Sequence, residues 1–288
     1  DISKTSDGDF VISQSRYIDK IIQSAGLSES KIQRMPLDVG YYKLDGIQLE
    51  SNDEYRKLVG MLLYVSTNTR PDISASISIL SQRVTNPRDT DLNEIKRVIK
   101  YLKGTKDLQL RLSDSTATES LVAFSDSDWA ENRNDRKSNS GFICALLGGT
   151  VSWMSRKQNV VALSSAEAEY VALTEASKEI TWLKRLAIEF DIPVPTKVVV
   201  YTDSQSCIAM IHNQKSGGRT KHIDTKYHYV KDQVAKEAIE LRYHPSDTNT
   251  ADLLTKPLGS TKIEVLRRQA GLSTHNLIAD TNRGGVLE

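Results

Sequence analysis

Hydrophobic residues recur along this chain with two periods, and the change between them divides it. From Tyr17 to Leu102 they return every three or four residues: Tyr17, Ile18, Ile21 and Ile22, then Ile73, Ile77, Leu80 and Val84, then Leu92, Ile95, Ile99 and Leu102. That spacing lines one face of a helix. It predicts a helix ending at Gly26, one over about 54–67, one after Pro71, and one from about Asp91 to Lys103 closed by Gly104. Phe10–Ser13 reads as a short strand before them, and 35–53 as a long loop rich in Pro, Gly and Asp. Past a small, polar stretch at 112–118, read as a linker, the period shortens. Leu121–Phe124 is a buried-strand run reaching Asp126, and Gly141–Leu147 and Thr150–Met154 flank Gly148-Gly149 as a hairpin. A long helix follows over about 165–190, then a strand at Lys197–Tyr201 and helices at about 204–214 and 222–237. Ile239, Leu241 and Tyr243 alternate as another strand, and a last helix starts near Asn249. This order predicts a helical region followed by a mixed α/β domain.

Composition narrows the class. The 288 residues are 39% hydrophobic and 26% charged, enough for two globular domains rather than a disordered chain. The net charge of +1 announces no polyanionic partner, so any such partner must be argued from local patches. Cys144 and Cys207 sit in apolar stretches and read as buried thiols in a reducing compartment. No apolar run is long enough to cross a membrane. The opening DISKTSDGDF carries neither an initiator Met nor a signal pattern and reads as the interior of a longer polypeptide.

Four carboxylates carry the candidate chemistry. Asp126 ends a buried strand, with Asp128 competing for its role. Glu169 falls on the buried stripe of the long helix with Ala172, Leu173, Ala176, Ile180 and Leu183, whereas Glu167 pairs with Ser164 as a capping box. Asp203 follows KVVVYT and opens a helix, a place where an N-cap is the simpler reading unless Ser204 takes that role. Asp252 lies in NTADLLTKP, where it could equally be a solvated helix-start acid. Each alone has a structural explanation. Together they form an oxygen-only donor set, which suits magnesium or manganese rather than zinc. Two such ions held by shared carboxylates are a recurrent device for phosphodiester cleavage.

The motifs AFSDSDWAEN, RKSNSGF, SWMSRKQ, VALSSAEAEYVAL, YTDSQS, KHIDTKYHYV and TADLLTKP together resemble the ribonuclease H domain of copia-type retrotransposon Pol polyproteins. FVISQSRYIDKII, YRKLVGMLLYVSTNTRPDI and IKYLKGT are similar to the stretch downstream of the polymerase palm in the same elements, so the likeness covers about residues 10–272. It implies a ribonuclease H-like mixed five-stranded sheet with flanking helices, preceded by a small helical thumb-like domain. The implied division is 1–13 as the end of the palm, 14–112 as the thumb or connection, 119–258 as the ribonuclease H domain and 273–288 as a tail expected to be disordered.

The resemblance also assigns roles. Asp126 would bridge two Mg2+ ions (Mn2+ being able to substitute), Glu169 and Asp203 would hold the ion near the leaving group, and Asp252 the ion that activates water. The implied reaction is endonucleolytic hydrolysis of the RNA strand of RNA–DNA hybrids. His244 matches loosely a mobile histidine that aids proton transfer. Ser127, Ser204 and Gln205 are candidates for contacts to 2′-hydroxyls, and Arg156 and Lys157 for the DNA strand. Lys96, Arg97, Lys100 and Lys103 share the outer face of one helix and could form a rail for phosphates. The partners implied are a hybrid and the upstream polymerase part of the same polyprotein, with no membrane and no small-molecule cofactor. The setting the resemblance implies is cytoplasmic, within virus-like particles if the element is active. The polymerase's paired aspartates are absent from this chain. The alternative is a module that holds hybrids or assembles with the polymerase and has little activity of its own.

Overall fold

The computed structural model describes residues 1–6, 8–112, 119–132, 135–212 and 221–274, with backbone alone for 221–227. Most of the expected linker at 112–118 and of the expected tail at 273–288 lies outside the described residues; Leu112 ends a strand and Ser273 lies in one.

In chain order the first half holds β1 (Ile2–Lys4), β2 (Phe10–Ile12), α1 (Ser15–Ser24), α2 (Asp53–Asn68), α3 (Ser74–Ser81), α4 (Asp89–Gly104) and β3 (Gln109–Leu112). The second holds β4 (Leu121–Ser127), β5 (Asn139–Leu146), β6 (Gly149–Lys157), α5 (Ser165–Glu189), β7 (Val198–Thr202), α6 (Gln205–His212), α7 (Lys221–Ala235) and β8 (Ile239–Tyr243). A 3-10 turn at Thr250–Leu254, α8 (Ser260–Gln269) and β9 (Leu272–Ser273) complete it. β1, β3, α8 and β9 have too few residues or too weak an apolar stripe to be read from the sequence. β1, β2, β3 and β9 form one small sheet, so the two ends of the described chain meet in it. The last helix expected near Asn249 is a single 3-10 turn, which Asn249 caps by accepting a hydrogen bond from the Ala251 amide.

The main sheet has strand order β6-β5-β4-β7-β8. Its first three strands are antiparallel neighbours, and β7 and β8 add parallel to β4. The β5–β6 hairpin turns through Leu147 and Gly148 at φ of 49° and 79°, a pair of left-handed residues that matches the twist of the flanking strands. Alternation along β4 separates the two faces of the sheet. Leu121 and Ala123 pack with Tyr170, Leu173, Ala176 and Ile180 of α5. Phe124 and Ile143 instead join a core shared by α1–α4, the 3-10 turn and α8. Residues 251–270 therefore complete the hydrophobic core of the helical half.

The helical half is also held by a buried polar cluster. Arg70, 1% exposed, pairs bidentately with Asp72 at 2.8 and 2.7 Å and donates to the Thr105 carbonyl. The Tyr101 hydroxyl donates to Asp72 at 2.6 Å. Burial opposes ionisation of Asp72, but Arg70 and Tyr101 outweigh it and hold the carboxyl below its ordinary range.

Candidate metal centre

β4 and β7 run parallel side by side, and acids stand at their carboxyl ends, where ligand sites of open α/β sheets form. Asp126 is the sixth residue of β4, 2% exposed. Asp203 directly follows β7 and is half-buried. Its carboxylate does not cap α6. Ser204 does so, accepting a hydrogen bond from the Cys207 amide at 3.1 Å, while the Ser246 hydroxyl donates to Asp203 Oδ2 at 2.6 Å. Ser164 caps α5 through the Glu167 amide, and Glu167 in turn accepts from the Leu163 amide. That fixes the start of the helix and sets Glu169 on the face toward β4, 7% exposed. The Ser127 amide and hydroxyl both donate to Glu169 Oε1, at 3.1 and 3.3 Å.

Oxygen atoms of Asp126, Glu169 and Asp203 all lie within 4.8 Å of one another. Burial, then the charges of Asp126 and Asp203, push Glu169 well above the usual carboxylate range. Burial likewise raises Asp126 to about 8, with Lys256 pulling the other way and Asp252 adding to the rise. Glu169 Oε2 is buried without a hydrogen-bond partner among the described residues. Buried polar oxygens rarely stay unpaired. A compact, oxygen-only trio with an orphaned lone pair fits a hard divalent cation.

The fourth acid is differently placed. Asp252 is fully buried in the 3-10 turn and touches Asp126, but it carries its own counter-charges. Lys256 Nζ lies 2.8 Å from its Oδ1 and 3.6 Å from Asp126 Oδ2, and Lys262 pairs with its Oδ2. Burial opposes the ionisation of Asp252, yet its contacts with Asp126 and the two lysines hold it below its ordinary range. The Thr255 hydroxyl donates to Asp126 Oδ2, and the Asn249 amide donates to the Ser125 carbonyl at 3.0 Å, tying the turn to β4. Thr255, Lys256 and Lys262 are not singled out by the sequence, and Asn249 only as the start of a helix. The one local signal for them was the Asp252–Lys256 spacing of four, a helical ion pair.

The remaining candidates are scattered. Asp128 is turned away to accept from the Asn139 amide and side chain, and burial lifts it to about 7. Ser127 is buried against Glu169, so it orients an acid rather than offering a free hydroxyl. Gln205 is exposed on the first turn of α6. His244 packs edge-on against Phe124 and Tyr201, with Nε2 on Thr248, which is a structural seat. Arg156 is exposed, and Lys157 contacts Asp135 and Gln82. Both line a groove of about 430 Å³ between β6 and helices α2 and α3, where the Trp153 indole donates to the Ser66 carbonyl at 2.8 Å. The basic face of α4 differs from a free phosphate rail. Lys96 pairs with Glu54, Arg97 with Glu94 and Asp38, and Lys103 donates to the Ser28 and Ser30 carbonyls. Those cations fasten α4 to its neighbours; Lys100 is half-buried, and its carbonyl accepts from the Gln33 amide at 3.3 Å.

A mixed sheet of three antiparallel strands extended by two parallel ones, with acids converging at its central strand ends, defines a ribonuclease H-like α/β domain. No family model matches the chain. It is 33% identical over 273 residues, 92% of its length, to the retrovirus-related Pol polyprotein from transposon TNT 1-94 of Nicotiana tabacum. It is 34% identical over 279 residues, 96% of its length, to that from transposon RE2 of Arabidopsis thaliana. The chain belongs to this family of copia-type Pol polyproteins, and spans about a fifth of the length of these relatives (20% and 19%). Secreted RxLR effector protein 161 of Plasmopara viticola is 44% identical over 132 residues, which cover 46% of this chain and 92% of that protein. Among solved structures, LC11-RNase H1 in complex with RNA/DNA hybrid covers 47% of the chain and is itself covered to 93%, at 18% identity and a TM-score of 0.35. The foamy viral protease-reverse transcriptase in complex with RNA/DNA hybrid covers 85% and is covered to 29%, at 12% identity and a TM-score of 0.44. Strand order, rather than these distant superpositions, carries the fold. Among the described residues no helix is long and apolar enough to cross a membrane.

Proposed function

We propose that this chain is the connection and ribonuclease H part of a retrotransposon reverse transcriptase, and that it hydrolyses the RNA strand of RNA–DNA hybrids. The observation that carries the reading is the meeting of Asp126, Glu169 and Asp203 within 4.8 Å at the ends of adjacent parallel strands. Asp126, Glu169 and Asp203 would hold a divalent ion, and Asp126 with Asp252 a second. Bound there, Mg2+ or Mn2+ supplies the positive charge that steadies the cleaved phosphodiester and makes water acidic enough to attack it.

The chain's own residues prepare that site. Ser127 fixes the Glu169 carboxylate with two hydrogen bonds, Ser204 spares Asp203 the capping of α6, and the Ser246 hydroxyl holds one Asp203 oxygen. Asn249 and Thr255 hold the turn of Asp252 against β4. Gln205, exposed two residues after Asp203, would contact the sugar edge of the cut strand, and Arg156, which lines the β6 groove, a phosphate backbone. The division at about residue 119 and the setting in virus-like particles belong to the same proposal.

The test is a labelled hybrid offered beside duplex RNA and duplex DNA. Cleavage of the RNA strand of the hybrid alone, with Mg2+ and not with EDTA, is expected. Equal cutting of duplex DNA, or hybrid binding without turnover at any Mg2+ or Mn2+ concentration, would overturn the proposal.

A further inference from the structure

The acidic cluster is lopsided in its counter-charge. On one side Asp126, Glu169 and Asp203 face one another, and Glu169 Oε2 has no hydrogen-bond partner among the described residues; Asp252 Oδ1 has none either, but it has the Lys256 ammonium 2.8 Å away as an ion pair. On the other side Asp126 and Asp252 already share a cation. Lys256 Nζ stands 2.8 Å from Asp252 Oδ1 and 3.6 Å from Asp126 Oδ2, on a side chain 32% exposed. Lys262 closes the far oxygen of Asp252 and also donates to the Ser246 carbonyl at 3.1 Å. Two differences separate the lysines. Lys256 touches both acids, whereas Lys262 touches only Asp252. Lys256 is also four residues from Asp252 and directly precedes Pro257, so its stem starts from the same short segment that places the acid.

We propose that Lys256 is a resident cation of the site, occupying with its ammonium the position between Asp126 and Asp252 that a second divalent ion must take. This rests on the metal-site reading above and deepens it. Divalent ions then load in order. The first enters the Asp126–Glu169–Asp203 trio, where among the described residues Lys256 reaches only Asp126, at 3.6 Å, and is held more closely by Asp252 at 2.8 Å. The second enters only as Lys256 swings toward solvent, which its partial exposure permits. Until it does, the ammonium keeps two buried carboxylates from repelling each other. Lys256 is in this sense a positioning residue that sets ion occupancy.

The experiment counts Mn2+ bound to the full 288-residue chain, by electron paramagnetic resonance of free Mn2+ and by calorimetry, without nucleic acid. Wild type should bind one ion tightly and a second at least about tenfold more weakly. Lys256→Met should tighten the second ion by about tenfold or more and leave the first unchanged. Lys256→Arg, which keeps the charge, should leave the second ion weak, and Lys262→Met should tighten it less than Lys256→Met does. Two equal ions in wild type, or a Lys256→Met isotherm that superimposes on wild type, overturns the role of Lys256 while leaving the metal site standing. No Mn2+ bound by any of the four proteins overturns both. If Lys256→Met fails to fold, the wild-type isotherm alone still decides, because equal sites contradict a resident cation.

Discussion

At the scale of single residues, the site sets two acids whose burial resists ionisation, Asp126 and Glu169, beside Asp252, which its lysines help hold below its ordinary range. Asp126 sits at about 8 in the folded chain, against about 4 for an unfolded aspartate. A carboxyl whose folded pKa is raised binds its proton more tightly when folded, so unfolding releases protons and stability falls as pH rises through that window. The metal-free chain in EDTA should therefore lose melting temperature between about pH 4 and 8, and Asp126→Asn should flatten that slope; a melting temperature that rises over the window contradicts the assignment. Saturating Mg2+ should recover the loss at pH 8, because a ligand that binds only the folded state stabilises it. The sequence exposed Asp126, Asp203 and Asp252 because each stands where a secondary element begins or ends, and Glu169 because it interrupts the apolar stripe of a long helix. It did not expose Lys256, Lys262 or Thr255, and it marked Asn249 only as a helix start. Their roles depend on a turn folding back against β4 across more than a hundred residues, and no local pattern records that contact.

At the scale of elements, the site depends on how closely that turn approaches the sheet. Gly141 pairs with Asp126 across β4 and β5, and a Cβ there would lie 2.6 Å from Leu254 Cβ and 2.9 Å from Thr255 Cγ2. Only hydrogen fits between the strand and the turn. Gly141→Ala should cost about 1–3 kcal/mol by overpacking, and should weaken Mn2+ binding by shifting Asp252 and Thr255. Denaturant melts and a binding isotherm check both, and an unperturbed isotherm would show that the close approach does not matter to the site. Ser164→Ala should cost about 1 kcal/mol through loss of the α5 cap, whose position sets the register of Glu169. The long helices, the hairpin and the central strands were legible because each repeats its apolar period over many residues. β1, β3 and β9, of three, four and two residues, are too short to show a period. The lysines of α4 read as a free basic face because periodicity shows which residues share a face. It does not show that Glu54, Asp38 and the Ser28 carbonyl lie opposite.

At the scale of the whole molecule, the helical half and the ribonuclease H-like half are mechanically one. Ala251, Leu253, Leu254, Ile263 and Leu266 bury themselves among α1–α4, so the turn that carries Asp252 depends on the helical half for its packing. A fragment starting at residue 119 should lose the single cooperative melt expected of the full chain, as followed by circular dichroism; an equally cooperative fragment would show that the shared core is dispensable. Arg70→Met, which strands Asp72 in the core beside Tyr101, should cost about 3–5 kcal/mol in the same measurement. Family motifs spread through the chain made its membership readable, but the shared core was not, because it arises from packing between segments far apart in sequence. The central claim is that convergent acids form a hydrolytic metal centre, and the most direct measurement is single-turnover cleavage of a labelled RNA–DNA hybrid in Mg2+ by wild type and Asp203→Asn. The account predicts RNA-strand cleavage by wild type and a loss of at least about a hundredfold in the variant, roughly 3 kcal/mol of transition-state stabilisation. An inert wild type, or an Asp203→Asn protein that cuts at the wild-type rate, would contradict it.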